Sequence, residues 1–219
     1  ATAISVVCEE NNIRNCIIKW ETTPILKGQV KVYTSTSPEI IPEDSPIAMA
    51  SISSGKMTIV TNDPSQRYYY LMVFNNKYRI KVATRNINIP GIQNFRDLGG
   101  YESANTGKSL RWGMIYRSAQ IDSIPPCSRQ ELKNMGIRTI IDLRSESERQ
   151  NYPQLHDDKF KIVHIPILTG NMEKILQGIR EEKINTDTSY RLAERIYREF
   201  VTNYQKEFKE LFTILLDRS

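Results

Sequence analysis

Arginine and aspartate residues in the second half of the chain could bind a phosphate group and protonate a leaving group. Arg117 and Arg144 stand at the ends of apolar, strand-like runs, where a guanidinium can donate two parallel hydrogen bonds to phosphate oxygens. Asp142 follows two isoleucines at the carboxyl end of such a run, the edge at which open α/β sheets place their sites. Burial there would raise the pKa of Asp142 and suit it to general acid catalysis. A structural salt bridge would account for each of these residues equally well.

Asp97 precedes the pair Gly99-Gly100, which permits backbone conformations closed to other residues, so the sequence predicts a tight turn. The turn belongs to a series of short ordered blocks: Gly91-Ile-Gln-Asn-Phe-Arg-Asp-Leu-Gly-Gly-Tyr101, Gly107-Lys108, Arg111-Trp112-Gly113, Tyr116-Arg117-Ser118, and Gly136-Ile-Arg-Thr-Ile-Ile-Asp-Leu-Arg-Ser145 followed by Glu148. Together the blocks resemble the bacterial tyrosine/serine protein phosphatase family, whose members are cysteine-dependent and related in fold to dual-specificity phosphatases.

The resemblance covers residues 85–219 and implies roles for four of them. Arg117 and Arg144 would bind the substrate phosphate, and Asp142 is a candidate general acid beside them. Asp97 would belong to the substrate-binding set by holding the first loop in place. In the family, an aspartate inside the nucleophile's own loop is a rival for the general acid role.

The resemblance also implies a nucleophile that these 219 residues do not contain. In the family a cysteine thiolate stands in a loop His-Cys-x-x-Gly-Lys-Asp-Arg at a helix N-terminus, shortly after a long helix. Here the helical pattern ends near Leu216 without such a loop. We therefore expect the nucleophile in a remaining C-terminal segment of the same protein, and no activity from residues 1–219 alone.

Cys8 and Arg14 match the bare Cys-x5-Arg spacing, but the intervening residues include no glycine and two glutamates, which would repel phosphate. We expect Cys8 to pack as a small apolar residue in the first strand. Cys127 is expected to be structural, because Lys133 rather than an arginine lies six residues after it. Three cysteines are too few for a disulfide framework and have no metal-ligand spacing, so neither a metal nor a cofactor is expected.

The net charge of +5 admits anionic partners, but acidic residues are mixed with basic ones, so nucleic-acid binding is disfavoured. The longest strongly apolar run, 68–74, is far shorter than the roughly 18 residues that span a membrane. The chain opens at Ala1 rather than Met, which is compatible with an exported protein, periplasmic or surface-bound, whose targeting segment has been removed.

Residues 1–84 carry a β pattern. Alternation places Cys16, Ile18 and Trp20 on one face of a strand, and Val30, Val32 and Thr34 on one face of the next. Further strands are predicted at 56–61, 67–74 and 77–82, the last two joined by a turn at Asn75-Asn76. About seven strands with regular turn signals are typical of a β-sandwich of immunoglobulin or fibronectin type.

After Arg85, strands and helices alternate. Ser128 and Glu131 predict a capping box opening a short helix that Gly136 closes. Strands are expected at 137–143 and 160–165, and helices at 172–182 and 188–216, the last with an apolar stripe that must be covered. The predicted fold class is α+β in two domains: a β-sandwich at 1–84, then a phosphatase-like α/β domain at 85–219 with a largely parallel sheet, incomplete at its C-terminus.

Two functions of different class remain open. The resemblance implies a protein-tyrosine or dual-specificity phosphatase that hydrolyses phosphomonoesters of a phosphorylated protein or phosphoinositide through a cysteinyl-phosphate intermediate. A non-catalytic binding protein with a truncated or degenerate phosphatase scaffold would explain the absent cysteine. A carbohydrate or adhesion module has only the sandwich in its favour, and a fold does not fix a function.

Overall fold

The structure, a computed structural model, describes residues 1–152, 155–168, 177–178, 180–181 and 185–217. The chain separates into two compact units, Ala1–Gly136 and Ile137–Ser219. The boundary expected between residues 84 and 85 lies inside the first unit, so a division into domains at that point stays a prediction.

Two antiparallel sheets form the N-terminal part of the first unit, and their strands are called the front strands below. Their strands are β1 (Ala3–Glu10), β2 (Cys16–Thr23), β3 (Gln29–Ser35), β4 (Ala48–Ser51), β5 (Lys56–Ile59), β6 (Tyr69–Phe74) and β7 (Tyr78–Val82). One sheet has the order β1-β2-β5 and the other β4-β3-β6-β7. Residues 13–82 are all described and contain no helix beyond the three-residue 3-10 turn Ile52–Ser54, as the β pattern predicts.

The predicted alternation holds on both sheets and builds a shared core. Cys16, Ile18 and Trp20 are buried on β2, as are Val30 and Val32 on β3, and all five belong to one apolar cluster. Met72 and Phe74 of β6 complete that cluster from the second sheet. The predicted turn at Asn75-Asn76 is also confirmed: both residues have positive φ, 50° and 56°, as a two-residue hairpin turn requires.

The rest of the first unit is a short ribbon and one helix. Strands β8 (Arg96–Asp97) and β9 (Tyr116–Arg117) pair antiparallel, and α1 spans Pro126–Asn134. The predicted capping box at Ser128 is wrong: the helix begins earlier, at Pro126, and the buried Ser128 hydroxyl donates instead to the carbonyl of Pro90 at 2.7 Å. Gly136 follows the helix with φ +77°, in agreement with the prediction.

The second unit contains a parallel strand pair and three described helices. β10 (Thr139–Asp142) and β11 (Lys161–His164) pair in parallel. The helices are α2 (Glu146–Asn151), α3 (Thr186–Asn203) and α4 (Gln205–Leu216). Most of the helix expected at 172–182 lies outside the described residues. The structure thus has mixed α and β content, and the largely parallel sheet is represented in the described chain by this one pair.

The long C-terminal helix expected over 188–216 is divided in two. Tyr204 ends α3 with φ −116° and ψ 31°, outside the helical region, and α4 resumes at Gln205. The predicted apolar stripe spans both helices, and each of its members is half-buried: Leu192, Ile196, Phe200, Tyr204, Phe208, Leu211 and Leu215. Among the described residues, no helix is long and apolar enough to cross a membrane.

Candidate functional site

Asp97 organises the turn that the sequence singled out. Its carboxylate is fully buried and accepts hydrogen bonds from the backbone N–H groups of Gly99, at 2.7 Å, and Gly113, at 2.8 Å. The two segments Gly91–Tyr101 and Arg111–Gly113 are therefore tied together through one side chain. Gly99 and Gly100 leave room for Trp112. A Cβ atom on Gly99 would lie 2.5 Å from the Trp112 Cα, and a Cβ atom on Gly100 would lie 2.7 Å from the Trp112 ring.

Arg67, at the start of the hairpin that contains β6, is the counter-ion of Asp97. The two side chains form a salt bridge and are 7% and 0% exposed. Arg67 Nη1 also donates to the Tyr116 hydroxyl at 2.9 Å, and Nη2 donates to the Thr84 carbonyl at 2.8 Å. This role of Arg67 is not evident from the sequence, because nothing near Arg67 distinguishes it from a residue at the edge of an ordinary strand.

Arg85 supports the same turn from outside. Its guanidinium donates to the carbonyl oxygens of Asp97, at 2.7 Å, and Gly99, at 2.8 Å. It also lies over the Tyr101 and Trp112 rings, 4.0 Å and 5.0 Å from their centroids. The turn is thus held by Asp97 on one side and Arg85 on the other.

The β8–β9 ribbon has two chemically different faces. Asp97 stands opposite Tyr116 and Arg96 opposite Arg117, and directly opposed residues of an antiparallel pair share a face. Asp97 and Tyr116 lie on the face that contacts Arg67, and burial raises the pKa of Tyr116 above its usual range. Arg96 and Arg117 lie on the other face, where Arg117 is exposed.

Asp142 and Arg144 lie together in the second unit. Arg144 follows β10 and turns back, so that its Nε and Nη2 donate to the two carboxylate oxygens of Asp142, both at 2.9 Å. Arg144 Nη1 donates to the Tyr152 carbonyl at 2.9 Å. The salt bridge that the sequence left open as an alternative is therefore present.

The expected rise in the pKa of Asp142 is not found. Burial does raise the pKa of this carboxyl, but the hydrogen bonds and the charge of Arg144 outweigh burial, and the net shift is downward from 3.8. Such a carboxyl holds its negative charge more firmly than a free aspartate. The general acid role of Asp142 stays a prediction, and its pKa does not favour it.

Arg149 and His164 join this cluster and were not singled out from the sequence. His164 ends β11 directly beside Asp142 in the parallel register. Its Nε2 lies 2.8 Å from the Arg144 carbonyl oxygen and its Nδ1 lies 2.9 Å from Arg149 Nη1. These partners assign Nε2 as donor and Nδ1 as acceptor, because a guanidinium can only donate. Matching the ends of the two predicted strands would have found His164.

Helix α2 begins beside the cluster with a full capping box. The Ser145 hydroxyl accepts from the Glu148 N–H, and the Glu148 carboxylate accepts from the Ser145 N–H at 2.8 Å. The sequence block containing Ser145 and Glu148 thus fixes where the chain leaves β10, immediately after Arg144.

Arg14 joins the front strands to residues beyond 85 within the first unit. It donates to the carbonyls of Pro64, at 2.9 Å, and Asn88, at 2.8 Å. Glu10 and Glu131 lie 3.6 Å and 3.7 Å from its guanidinium, beside a cavity of about 50 Å³. Burial raises the pKa of both glutamates, and Arg14 partly offsets that rise.

Cys8 packs in the apolar core of the first strand, as expected, but the three cysteines do include a disulfide, which the sequence analysis did not predict. Cys8 is buried in β1, but it forms a disulfide with Cys16 of β2, with the two Cα atoms 6.3 Å apart. Cys8 stands opposite Ile18, two residues from Cys16 on the same face, which brings the sulfurs within bonding distance. The match of Cys8 and Arg14 to Cys-x5-Arg therefore supplies no thiolate. Cys127 is a free, exposed cysteine in the first turn of α1.

The four predicted site residues thus fall into two pairs. Asp97 and Arg117 belong to the first unit and Asp142 and Arg144 to the second, so their convergence on one pocket stays a prediction. Full burial of Asp97 does not favour direct contact with a substrate, and its contacts are those of a residue that holds a loop. The described residues contain no cluster of three or more side chains suited to a metal ion.

Comparison with known proteins places these segments in a family. The model of the tyrosine phosphatase family matches residues 87–219. A Cupriavidus necator protein named "Putative tyrosine-protein phosphatase" is 27% identical over 119 residues, covering 53% of this chain and 42% of that protein. The triple specificity protein phosphatase PtpB of Mycobacterium tuberculosis is 37% identical over 60 residues, covering 27% and 20%.

The chain spans less than half the length of these curated relatives. The solved structure of pectate lyase Pel3 from Pectobacterium carotovorum aligns with 42% of this chain and 30% of its own, at 18% identity and a TM-score of 0.29, which is too low to bear on the fold. The family match, in contrast, covers more than half of the chain and contains all four predicted site residues. The chain therefore belongs to the tyrosine phosphatase family.

Proposed function

We propose that the whole protein is a protein-tyrosine or dual-specificity phosphatase acting on phosphorylated protein or on phosphoinositide. The observation that carries this proposal is the family match over residues 87–219, which includes both the ribbon with Arg117 and the strand end with Asp142 and Arg144. The names of the two relatives support the same class of reaction.

In the proposed reaction, a cysteine thiolate attacks phosphorus, a P–S bond forms, and the P–O bond to the leaving group breaks while a carboxylic acid protonates the departing oxygen. Water then attacks the phosphocysteine and gives a proton back to the same carboxylate; a P–O bond forms, the P–S bond breaks, and inorganic phosphate and the thiolate are released. Arg117 and Arg144 bind phosphate oxygens. We assign the nucleophile to residues beyond 219, because Cys8 and Cys16 are oxidised and Cys127 is followed by Ser-Arg-Gln-Glu-Leu-Lys rather than a phosphate-binding loop.

We also propose a two-domain layout in which residues 1–84 form a sandwich of immunoglobulin or fibronectin type. The three- and four-stranded sheets with one shared core support it. Export to an oxidising compartment is supported by the disulfide between Cys8 and Cys16, since such bonds persist mainly outside the cytosol.

The test compares residues 1–219 with a longer polypeptide that includes the segment encoded after Ser219. Both are assayed on p-nitrophenyl phosphate with and without iodoacetamide. We expect alkylation-sensitive turnover by the longer polypeptide alone. Absence of turnover from both would favour the binding-protein alternative, and turnover by residues 1–219 would contradict the placement of the nucleophile.

A further inference from the structure

The outer face of the β8–β9 ribbon carries an unusual charge arrangement. Arg96 and Arg117 are direct cross-strand partners, so two positive side chains leave the ribbon side by side. Like charges in this position are destabilising unless something neutralises them. Neither guanidinium makes a hydrogen bond or an ion pair within the part of the chain that the structure describes, and Arg96 Nε is shielded from solvent without a partner.

A third polar side chain extends the same row. Asn86 forms an antiparallel bridge with Arg96 on the side away from Arg117, so Asn86, Arg96 and Arg117 share one face of three adjacent backbone segments. Asn86 and Arg117 are exposed and Arg96 is half-buried. The row offers two cationic groups and one neutral amide donor to a ligand.

The opposite face of the ribbon fixes this row in place. Asp97 and Tyr116, the immediate neighbours of Arg96 and Arg117, are both bound by the buried Arg67 guanidinium. The backbone positions of the two outer arginines are thus set by buried contacts. Little ordering is left for a ligand to impose on the backbone, which favours binding.

We propose that Asn86, Arg96 and Arg117 form an anion-binding site for a phosphate dianion, the phosphate of a phosphomonoester substrate or inorganic phosphate. Two guanidiniums balance the two charges, and each can donate two parallel hydrogen bonds to a tetrahedral oxyanion. The choice of phosphate rests on the proposed function. The presence of an anion site rests on the paired arginines alone.

The experiment is calorimetric titration of residues 1–219 with inorganic phosphate at low ionic strength. We expect saturable binding that Arg96→Gln and Arg117→Gln each weaken about tenfold or more, since each variant removes hydrogen bonds to a charged group. Arg111→Gln is the matched control, because it removes the same charge from an exposed arginine of the same unit. Arg111 is paired with Glu39. Circular dichroism and thermal unfolding verify that each variant is folded.

Three outcomes would overturn the site: no saturable binding by the folded chain, equal weakening by Arg111→Gln, or full binding by Arg117→Gln, whose exposed side chain can be removed without loss of the fold. Titration with O-phosphotyrosine measures whether the site binds the phosphate of a substrate as well as free phosphate. Titration with acetate measures whether the site is selective for a tetrahedral anion. Turnover by the longer polypeptide without phosphate binding here would reject this site, and with it the role of Arg117, and leave the proposed phosphatase reaction standing. Phosphate binding here without turnover by the longer polypeptide would support this site and contradict the proposed phosphatase function.

Discussion

At the scale of single residues, the buried pair of Arg67 and Asp97 is the most consequential feature. The two charged side chains are only 7% and 0% exposed. Arg67 also donates to the Tyr116 hydroxyl, and Asp97 also accepts from two backbone N–H groups. Breaking such a pair costs more than the pair contributes, because the remaining charge is left buried without a partner.

We therefore predict that Arg67→Met lowers the free energy of unfolding by about 3–5 kcal/mol. Methionine keeps much of the apolar volume and removes the charge. Urea unfolding of residues 1–219 measures the change, with Arg111→Met as control, for which a loss below about 1 kcal/mol is expected because that pair is exposed. A loss for Arg67→Met as small as the control's would contradict the structural importance of this salt bridge.

Asp142 gives a prediction about pH. Because its folded pKa lies below the ordinary 3.8, its contribution to stability is present above that value and is lost as pH falls through the lower folded pKa. Unfolding free energies measured between about pH 2 and 6 should therefore decline toward acid less steeply in Asp142→Asn than in the wild type. Asp158→Asn, at an exposed position, is the control. Parallel curves for wild type and Asp142→Asn would show that Arg144 does not lower this pKa.

At the scale of elements, most of the longer strands and the turn at Asn75-Asn76 were predictable from sequence, whereas contacts between distant segments were not. Alternating apolar residues placed Ile18, Trp20 and Val30 correctly, because burial of one face of a strand is a local property. The helix start at Pro126 was missed, because Ser128 finds its partner in the distant Pro90 carbonyl rather than in its own helix. The disulfide was missed because it depends on the register of β1 and β2.

The candidate site shows the same division. Asp97, Arg117, Asp142 and Arg144 could be named from motif and strand position. Arg67 could not, since it is paired with Asp97 across 30 residues. His164 was missed, although matching the ends of the two predicted strands would have found it. The pKa of Asp142 could not be predicted in direction either, because burial and the Arg144 side chain act in opposite senses and their balance is geometric.

Glu131 of α1, where that helix meets β1 and the loop at Asn88, gives a prediction about pH. Its contribution to stability is expected to change with pH in the direction opposite to that of Asp142. The folded pKa of Glu131 is raised above 4.5, so the stability that it contributes is present below that value and is lost as pH rises through the higher folded pKa. We expect Glu131→Gln to reduce the fall in unfolding free energy as pH rises from about 4.5. The exposed Glu39→Gln serves as control. An unchanged pH profile would show that Arg14 fully compensates for burial.

At the scale of the whole molecule, the front strands and the family region are not independent. The family match begins at residue 87, yet Arg67 and Arg14, which lie before it, bind Asp97, Asn88 and Glu131 within the matched region. A fragment beginning at residue 87 would keep the buried Asp97 carboxylate and lose its counter-ion.

We predict that residues 87–219 expressed alone do not fold cooperatively, whereas residues 1–219 do. Thermal unfolding followed by circular dichroism and tryptophan fluorescence compares the two, since Trp112 is present in both. A fragment carrying Asp97→Asn tests the cause, because it should recover part of the lost stability if the unpaired charge is responsible. A sharp transition in the unmodified fragment, at the temperature of the longer chain, would refute the dependence.

The Arg67 contact also bears on how such a protein could arise and change. A recombination event that exchanged the front strands for another module would leave a buried carboxylate without its cation unless the incoming module brought an arginine to the same place. Replacement of either partner alone passes through an unstable intermediate. We therefore expect the two parts of the gene to be inherited as one unit, with residues 67 and 97 changing together when they change at all.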